Sequence, residues 1–250
     1  MRDPNPYKLL TPGPLTTTLS VREAMMIDRC TWDDDYKRMT EEIRAGLLDF
    51  AHAGDDYTVV LMQGSGTFGV ESVLSSVSGA KDCVLVLVNG AYSERMVKIL
   101  DRHGVTHARL DFAWDEIPDA AGVEAFLAEH PEVTIVSMVH NETTTGILND
   151  IEAVGRVVKA AGRTFIVDAM SSFGAVDIRV ADIGIDYLVS SANKCIQGVP
   201  GFSYIIARRE ALEAAKGNAR TVSLDLYDQW KGLEEGHGKW RFTSPTHVVA

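Results

Sequence analysis

From residue 57 onward, short runs of β-branched and apolar residues alternate with longer stretches in which apolar positions recur at helical spacing. YTVVLM (57–62) predicts a strand followed by a helix over about 67–78, and VLVLVN (84–89) a strand followed by a helix over about 92–103. VTHARLD (105–111), a helix near 119–129, VTIVSMVH (133–140), a helix near 150–161 and RTFIVD (163–168) continue the rhythm. Near-continuous apolar strands separated by amphipathic helices imply an α/β fold, a mainly parallel sheet covered by helices on both faces. YLVSS (187–191) and FSYIIA (202–207) extend that sheet and are expected to end it in an antiparallel strand.

The first 50 residues break the rhythm. They hold a Pro/Gly-rich loop, TPGP (11–14), an acidic tract, WDDDY (32–36), and a helix near 37–52, which together predict an N-terminal arm. Residues 51–240 are expected to form the sheet domain, and 241–250 the start of a further C-terminal domain not contained in the chain.

Composition narrows the function. With 35 acidic against 24 basic residues, the net charge of −11 argues against a broad surface for nucleic acid, which relies on clustered Lys and Arg. A local cationic pocket for one small anion is compatible with it. Three scattered cysteines, Cys30, Cys83 and Cys195, without a CxxC pair, read as reduced thiols, and no His cluster has metal-ligand spacing. No apolar run approaches the roughly 20 residues of a membrane span, and the N-terminus lacks the apolar stretch of a signal peptide. These features point to a soluble, cytoplasmic protein that needs no metal.

Three constellations carry candidate chemistry. Gly64-Ser65-Gly66-Thr67-Phe68-Gly69 follows a predicted strand and opens a predicted helix, where backbone amides and a hydroxyl can hold a phosphate. The string also satisfies the dinucleotide pattern GxGxxG, but that reading needs an acid at the end of the next strand, and Asn89-Gly90 stands there. A glycine-rich turn without a ligand is the plain alternative. Asp168 ends the strand TFIVD, on the side of a parallel sheet where ligands bind, and can hold a protonated pyridine nitrogen or simply cap a helix. Lys194, in SSANKC after YLVSS and before GVPG, sits among small residues with few other charges. In such a setting a lysine amine becomes a usable nucleophile for a Schiff base; otherwise it is an ordinary loop lysine. Phosphate loop, strand-end acid and lysine occur in this order along one sheet, which is more specific than any of the three alone.

GSGTFGVE, NGAYSERM, HNETTTGILND, VDAMSSFGAVDI and SSANKCIQGVPGFSYIIAR together resemble the class V aminotransferases of pyridoxal-phosphate fold type I, across essentially the whole chain. The resemblance implies pyridoxal 5'-phosphate as cofactor and a homodimer that exchanges an amino group between a small-molecule amine donor and an acceptor such as pyruvate. It implies that Lys194 holds the cofactor covalently and shuttles a proton, and that Asp168 pairs with the ring nitrogen. Ser65, Gly66 and Thr67 would cradle the phosphate and Tyr92 would stack on the ring, unless it is a plain core aromatic. Thr143, or Thr145 in its place, would reach the ring hydroxyl, and Asn193 would lie beside the phosphate or the lysine linkage. Thr243 would touch the phosphate bound by the partner subunit. LLTPGPL with CTWDDDY resembles the members that take an aminophosphonate donor and pyruvate; alanine–glyoxylate and serine–pyruvate enzymes are the alternative. On that reading Asp33, Asp34 and Asp35 attract the donor's ammonium group at the mouth of the site. The phosphonate's partners then fall to amides of the TPGP loop or to residues outside the chain.

Overall fold

A computed structural model describes residue 5 and residues 7–250. Two helices, α1 (Leu19–Ala24) and α2 (Asp34–Phe50), precede the sheet. Strands and helices then alternate: β1 (Tyr57–Gln63), α3 (Gly66–Val77), β2 (Val84–Val88), α4 (Ala91–His103), β3 (His107–Asp111), α5 (Ala120–Glu129) and β4 (Ile135–Val139). A small hairpin of β5 (Asn141–Glu142) and β6 (Ile147–Leu148) interrupts the pattern before α6 (Ile151–Ala160) and β7 (Thr164–Asp168). The chain continues through α7 (Val180–Ile183), β8 (Tyr187–Ser191), β9 (Phe202–Arg208), α8 (Arg209–Ala214), α9 (Leu226–Glu235) and α10 (Thr246–Val249).

Seven strands form one sheet in the order β1-β9-β8-β7-β4-β2-β3. β8, β7, β4, β2 and β3 pair in parallel, so their carboxyl ends share one edge. β2, β4 and β8 are buried at every position, as expected for apolar runs covered on both faces. The outer strand β3, HARLD, is only partly covered, which its polar composition permits. The α/β fold expected from the pattern is the fold found.

β9 is antiparallel, as expected, but it does not end the sheet. It lies between β8 and β1 and pairs with both, in the registers Val189↔Ile205 and Val60↔Ile205. Its run FSYIIA is buried on both faces, so pairing on both edges leaves no ladder group of a buried strand without a partner. β1 becomes the outer strand, and α2 covers it. Tyr36, Thr40, Arg44 and Leu47 form the buried face of α2, and Arg44 donates Nε to the Val59 carbonyl at 2.8 Å and Nη2 to Thr58 Oγ1 at 3.0 Å. A guanidinium over the outer strand blunts an edge that would otherwise invite further pairing. The arm helix is thereby packed on the sheet body, and Tyr36 bonds Ser244 near the far terminus, oxygen to oxygen at 2.6 Å.

No helix among the described residues is long and apolar enough to cross a membrane.

Candidate active site

The shared carboxyl edge of the sheet opens into a cavity of about 190 Å³. Four chain segments supply its walls: the turn after β1, the start of α4, the exit of β7 and the loop after β8. Ligands in open α/β sheets bind at this edge.

The turn after β1 is the cradle. Ser65 is the N-cap residue of α3, yet its side chain makes no capping bond. Its carbonyl accepts the Phe68 amide at 2.9 Å and the Gly69 amide at 3.4 Å, so the helix ladder starts beyond Gly66 and Thr67. The amides of those two residues, with the positive end of a helix behind them, are left to serve an anion. The turn lies close against the floor of the site: a Cβ on Gly66 would fall 2.3 Å from Met170 Sδ, so the thioether would have to move. A second tie holds the turn in place, because the Gly64 N–H donates to the Gly201 carbonyl at 2.9 Å, at the entrance to β9.

Asp168 closes the floor. It is only 5% exposed, and Oδ1 accepts the Met170 amide at 2.9 Å. Burial pushes its carboxyl up to about 6 against the pull of that amide; the Glu142 carboxylate adds to the rise, and the Arg95 and Lys194 charges oppose it. A buried acid with one backbone donor is set to take a cationic partner from the cavity.

Lys194 lines the cavity with Asn193 and Ser191. The backbone around it is a tight turn: Gln197 N–H bonds the Lys194 carbonyl, and Gly198 N–H the Ala192 carbonyl, both at 2.8 Å. Asn193 is buried, and its side-chain oxygen accepts from Ser191 Oγ at 3.0 Å. The TPGP loop lies on the lysine stem, since a Cβ on Gly13 would meet Lys194 Cδ at 2.5 Å.

Tyr92 stands at the start of α4, held by a residue that no local sequence pattern marks. Glu142, fully buried on β5, accepts the Tyr92 and Ser93 amides at 3.2 Å each, and the hydroxyls of Ser93 at 3.3 Å and Thr144 at 2.8 Å. A carboxylate at a helix start is stabilised by the helix dipole as well as by these donors. Arg95, also unforeseen, lies over the Tyr92 ring with its guanidinium carbon 4.8 Å from the centroid.

The structure thus gathers Ser65, Gly66, Thr67, Tyr92, Asp168, Asn193 and Lys194 around one space. Thr143 is not among its lining residues; its hydroxyl bonds Ser171 at 2.5 Å, because the β5–β6 hairpin turns Glu142 rather than Thr143 toward α4. Thr145 bonds back to the Glu142 carbonyl. Thr243 lines a separate cavity of about 420 Å³ with Gly64 and Phe68, behind the cradle turn. The acidic tract does not border the site either. Asp33 is the N-cap residue of α2, while Asp34 and Asp35 bond Lys37 at 2.9 Å and Arg38 at 2.5 Å, so these acids serve the start of a helix. Asn89, where a dinucleotide site needs an acid, is spent on Asn149 at 2.9 Å and on the Glu116 carbonyl at 3.0 Å.

The family described as aminotransferase class-V matches residues 30–241. The chain belongs to that family. It is 53% identical over 244 residues to the 2-aminoethylphosphonate–pyruvate transaminases of Salmonella heidelberg (strain SL476) and Salmonella typhimurium (strain LT2), covering 97% of this chain. It spans 66% of the length of those relatives. Among solved structures, pyridoxamine-pyruvate aminotransferase from Mesorhizobium loti superposes with a TM-score of 0.89 at 26% identity, over 100% of this chain and 64% of that one. Alanine–glyoxylate aminotransferase from Nostoc sp. superposes with a TM-score of 0.87 at 25% identity, over 100% of this chain and 67% of that one. Membership of class V implies pyridoxal 5'-phosphate as the cofactor. The residues present fit it: an open amide cradle for a phosphate, a buried carboxyl in need of a cation, an aromatic ring and a lysine amine share one cavity.

Proposed function

We propose that the chain carries the cofactor site of a pyridoxal-phosphate aminotransferase that moves the amino group of 2-aminoethylphosphonate to pyruvate, giving phosphonoacetaldehyde and L-alanine. The observation that carries this reading is the meeting of Lys194, Asp168 and the Ser65–Thr67 turn in one cavity, in a chain 53% identical to transaminases named for those substrates. When bound, the cofactor accepts the amino group from the donor and returns it to the acceptor, its ring serving as an electron sink.

Each residue has a definite task. The Gly66 and Thr67 amides, with the Ser65 and Thr67 hydroxyls, hold the phosphate. The Asp168 carboxylate keeps the ring nitrogen protonated and so preserves its electron demand. Tyr92 covers one face of the ring, and Glu142 fixes the backbone from which Tyr92 projects. The Lys194 Nζ anchors the cofactor in the resting protein and carries a proton to and from the reacting carbon afterwards. Asn193 steadies the lysine loop. Thr143 and Thr145 serve the hairpin beside the site. For Thr243 we assign contact with the phosphate in a partner subunit, which makes the working unit a homodimer; its place behind the cradle turn, outside this chain's own cavity, supports that assignment. Three free cysteines, Cys30, Cys83 and Cys195, support a cytoplasmic setting.

The reading is tested on the intact protein in two steps. Lys194→Ala should lose the yellow, borohydride-reducible chromophore and at least about 10³-fold in turnover while keeping its fold. Retention of that chromophore would remove Lys194 from its role. The donor is then tested by kcat/KM for 2-aminoethylphosphonate with pyruvate against L-alanine or L-serine with glyoxylate. A better α-amino acid donor would leave the family and overturn the phosphonate assignment.

A further inference from the structure

The cradle has a charge problem. Its amides offer the partial charge of one helix start, about half an elementary charge, whereas a phosphate monoester carries roughly −1.5 to −2 at pH 7. The protein as a whole, at −11, adds nothing favourable. Two cations line the cavity, Lys194 and Arg95. Lys194 is committed to the carbonyl end of the cofactor on the reading above, on which this inference rests. Arg95 is left.

Its placement is specific. One Nη1–H reaches Thr67 Oγ1 at 3.3 Å, on the cradle itself, and the guanidinium plane is steadied by the Tyr92 ring at 4.8 Å. Among the described residues no carboxylate lies within ion-pair distance of it. Glu142 is saturated by the amides and hydroxyls at the start of α4, and Asp168, which feels the Arg95 charge across the cavity, lies beyond ion-pair distance of it. Arg95 also sits one turn into α4, near an end that disfavours cations, so helix electrostatics do not explain it. A planar fork with donors to spare, hydrogen-bonded to the residue that must touch the phosphate, matches a phosphate in both geometry and charge.

We propose that Arg95 is the cation that neutralises the cofactor phosphate, completing from α4 the cradle that α3 begins. In that position it also holds Tyr92 against the ring, so anion binding and ring stacking are joined through one side chain.

The experiment compares two ligands on the cofactor-free intact protein: pyridoxal 5'-phosphate and pyridoxal, which has the same ring and aldehyde without the phosphate. Binding is followed by visible absorbance and tryptophan fluorescence, and melting by circular dichroism checks the fold. Arg95→Gln should weaken the phosphorylated ligand by about 10- to 100-fold and pyridoxal, which loses only the support of Tyr92, by about 10-fold less than that. Arg95→Lys should recover part of that loss, because charge without the fork is a partial substitute, and the salt dependence of binding should flatten in Arg95→Gln. Equal weakening of both ligands would make Arg95 a support for Tyr92 only. Unchanged binding with a raised KM for the donor would assign it to the substrate anion. Either result overturns the phosphate role and leaves the cofactor reading standing. If the wild type bound neither ligand, the cofactor reading would fall first and Arg95 with it.

Discussion

Two aspartates, Asp168 and Asp186, are almost equally buried, at 5% and 4% exposure, and sit at opposite ends of neighbouring parallel strands. Asp186 precedes β8 and is complete: it takes Lys159 Nζ at 3.2 and 3.3 Å, Arg208 Nε at 2.9 Å and the Phe165 amide at 2.8 Å. Asp168 ends β7 and has the Met170 amide. One end of the sheet finishes its polar network from within the chain, while the other leaves a carboxyl facing a cavity. A saturated buried charge holds a fold together; an unsaturated one costs stability and is kept where a ligand completes it.

Substitution should separate the two carboxyls most sharply. Asp168→Asn should bind cofactor yet lose about 10³-fold in turnover, roughly 4 kcal/mol of transition-state stabilisation, with its melting temperature unchanged or raised. Steady-state kinetics and thermal melting together decide this, and near-normal turnover would reduce Asp168 to a turn residue. Asp186→Ala should do the reverse. Removing it strands the partly buried Arg208 and loosens Lys159, lowering stability by about 3 kcal/mol in urea unfolding while turnover at saturating cofactor changes less than about twofold. A large loss of rate at full cofactor occupancy would show that the two ends are not independent.

A subtler expectation concerns pH in the cofactor-free protein. Asp168 titrates at about 6 when folded, against an ordinary 3.8, so the folded state holds its proton longer and stability falls as pH rises from about 4 to about 6. His140, buried beside the Asp168 backbone, is pushed by burial down to about 4 from 6.5, so stability is lost as pH falls across nearly the same window. The two trends oppose each other and should leave the wild type nearly flat there. Asp168→Asn removes one of them and should expose an acid-side loss of up to about 3 kcal/mol, read from urea midpoints at stepped pH. A variant as flat as the wild type would mean that Asp168 carries no burial penalty.

What the sequence made legible follows from distance along the chain. Strand runs such as VLVLV and IVSMV declare themselves locally, because burial on both faces needs an unbroken apolar run. Gly66 and Lys194 were readable for a similar reason, each set by the few residues around it. The neighbours of β9 were not, since FSYIIA fits an edge or an interior position equally well, and what decides is an unmet hydrogen-bonding edge on β1. Glu142 and Arg95 act across contacts of 50 and 28 residues, beyond any local pattern. The structural part of the tract Asp33–Asp35 was hard to read because acids at a helix start and acids at a substrate mouth look alike in composition. Lys37 and Arg38, three residues beyond Asp34 and Asp35, were the available sign of a helix.

The insertion of β9 between β8 and β1 has a consequence for how the protein is made. β1 emerges from the ribosome early, yet its sheet partner comes far later: Met62 and the Ser203 that bonds its carbonyl are 141 residues apart. At about 5–20 residues per second, an apolar strand with a bare edge waits on the order of ten seconds for its mate. α2, made just before it, packs against it, and Arg44 on the Val59 carbonyl covers the outer edge of β1 while the other edge waits for β9. The cradle turn at Gly64 is tied to Gly201, so the anion site comes into being only after a segment 137 residues further along the chain has been made.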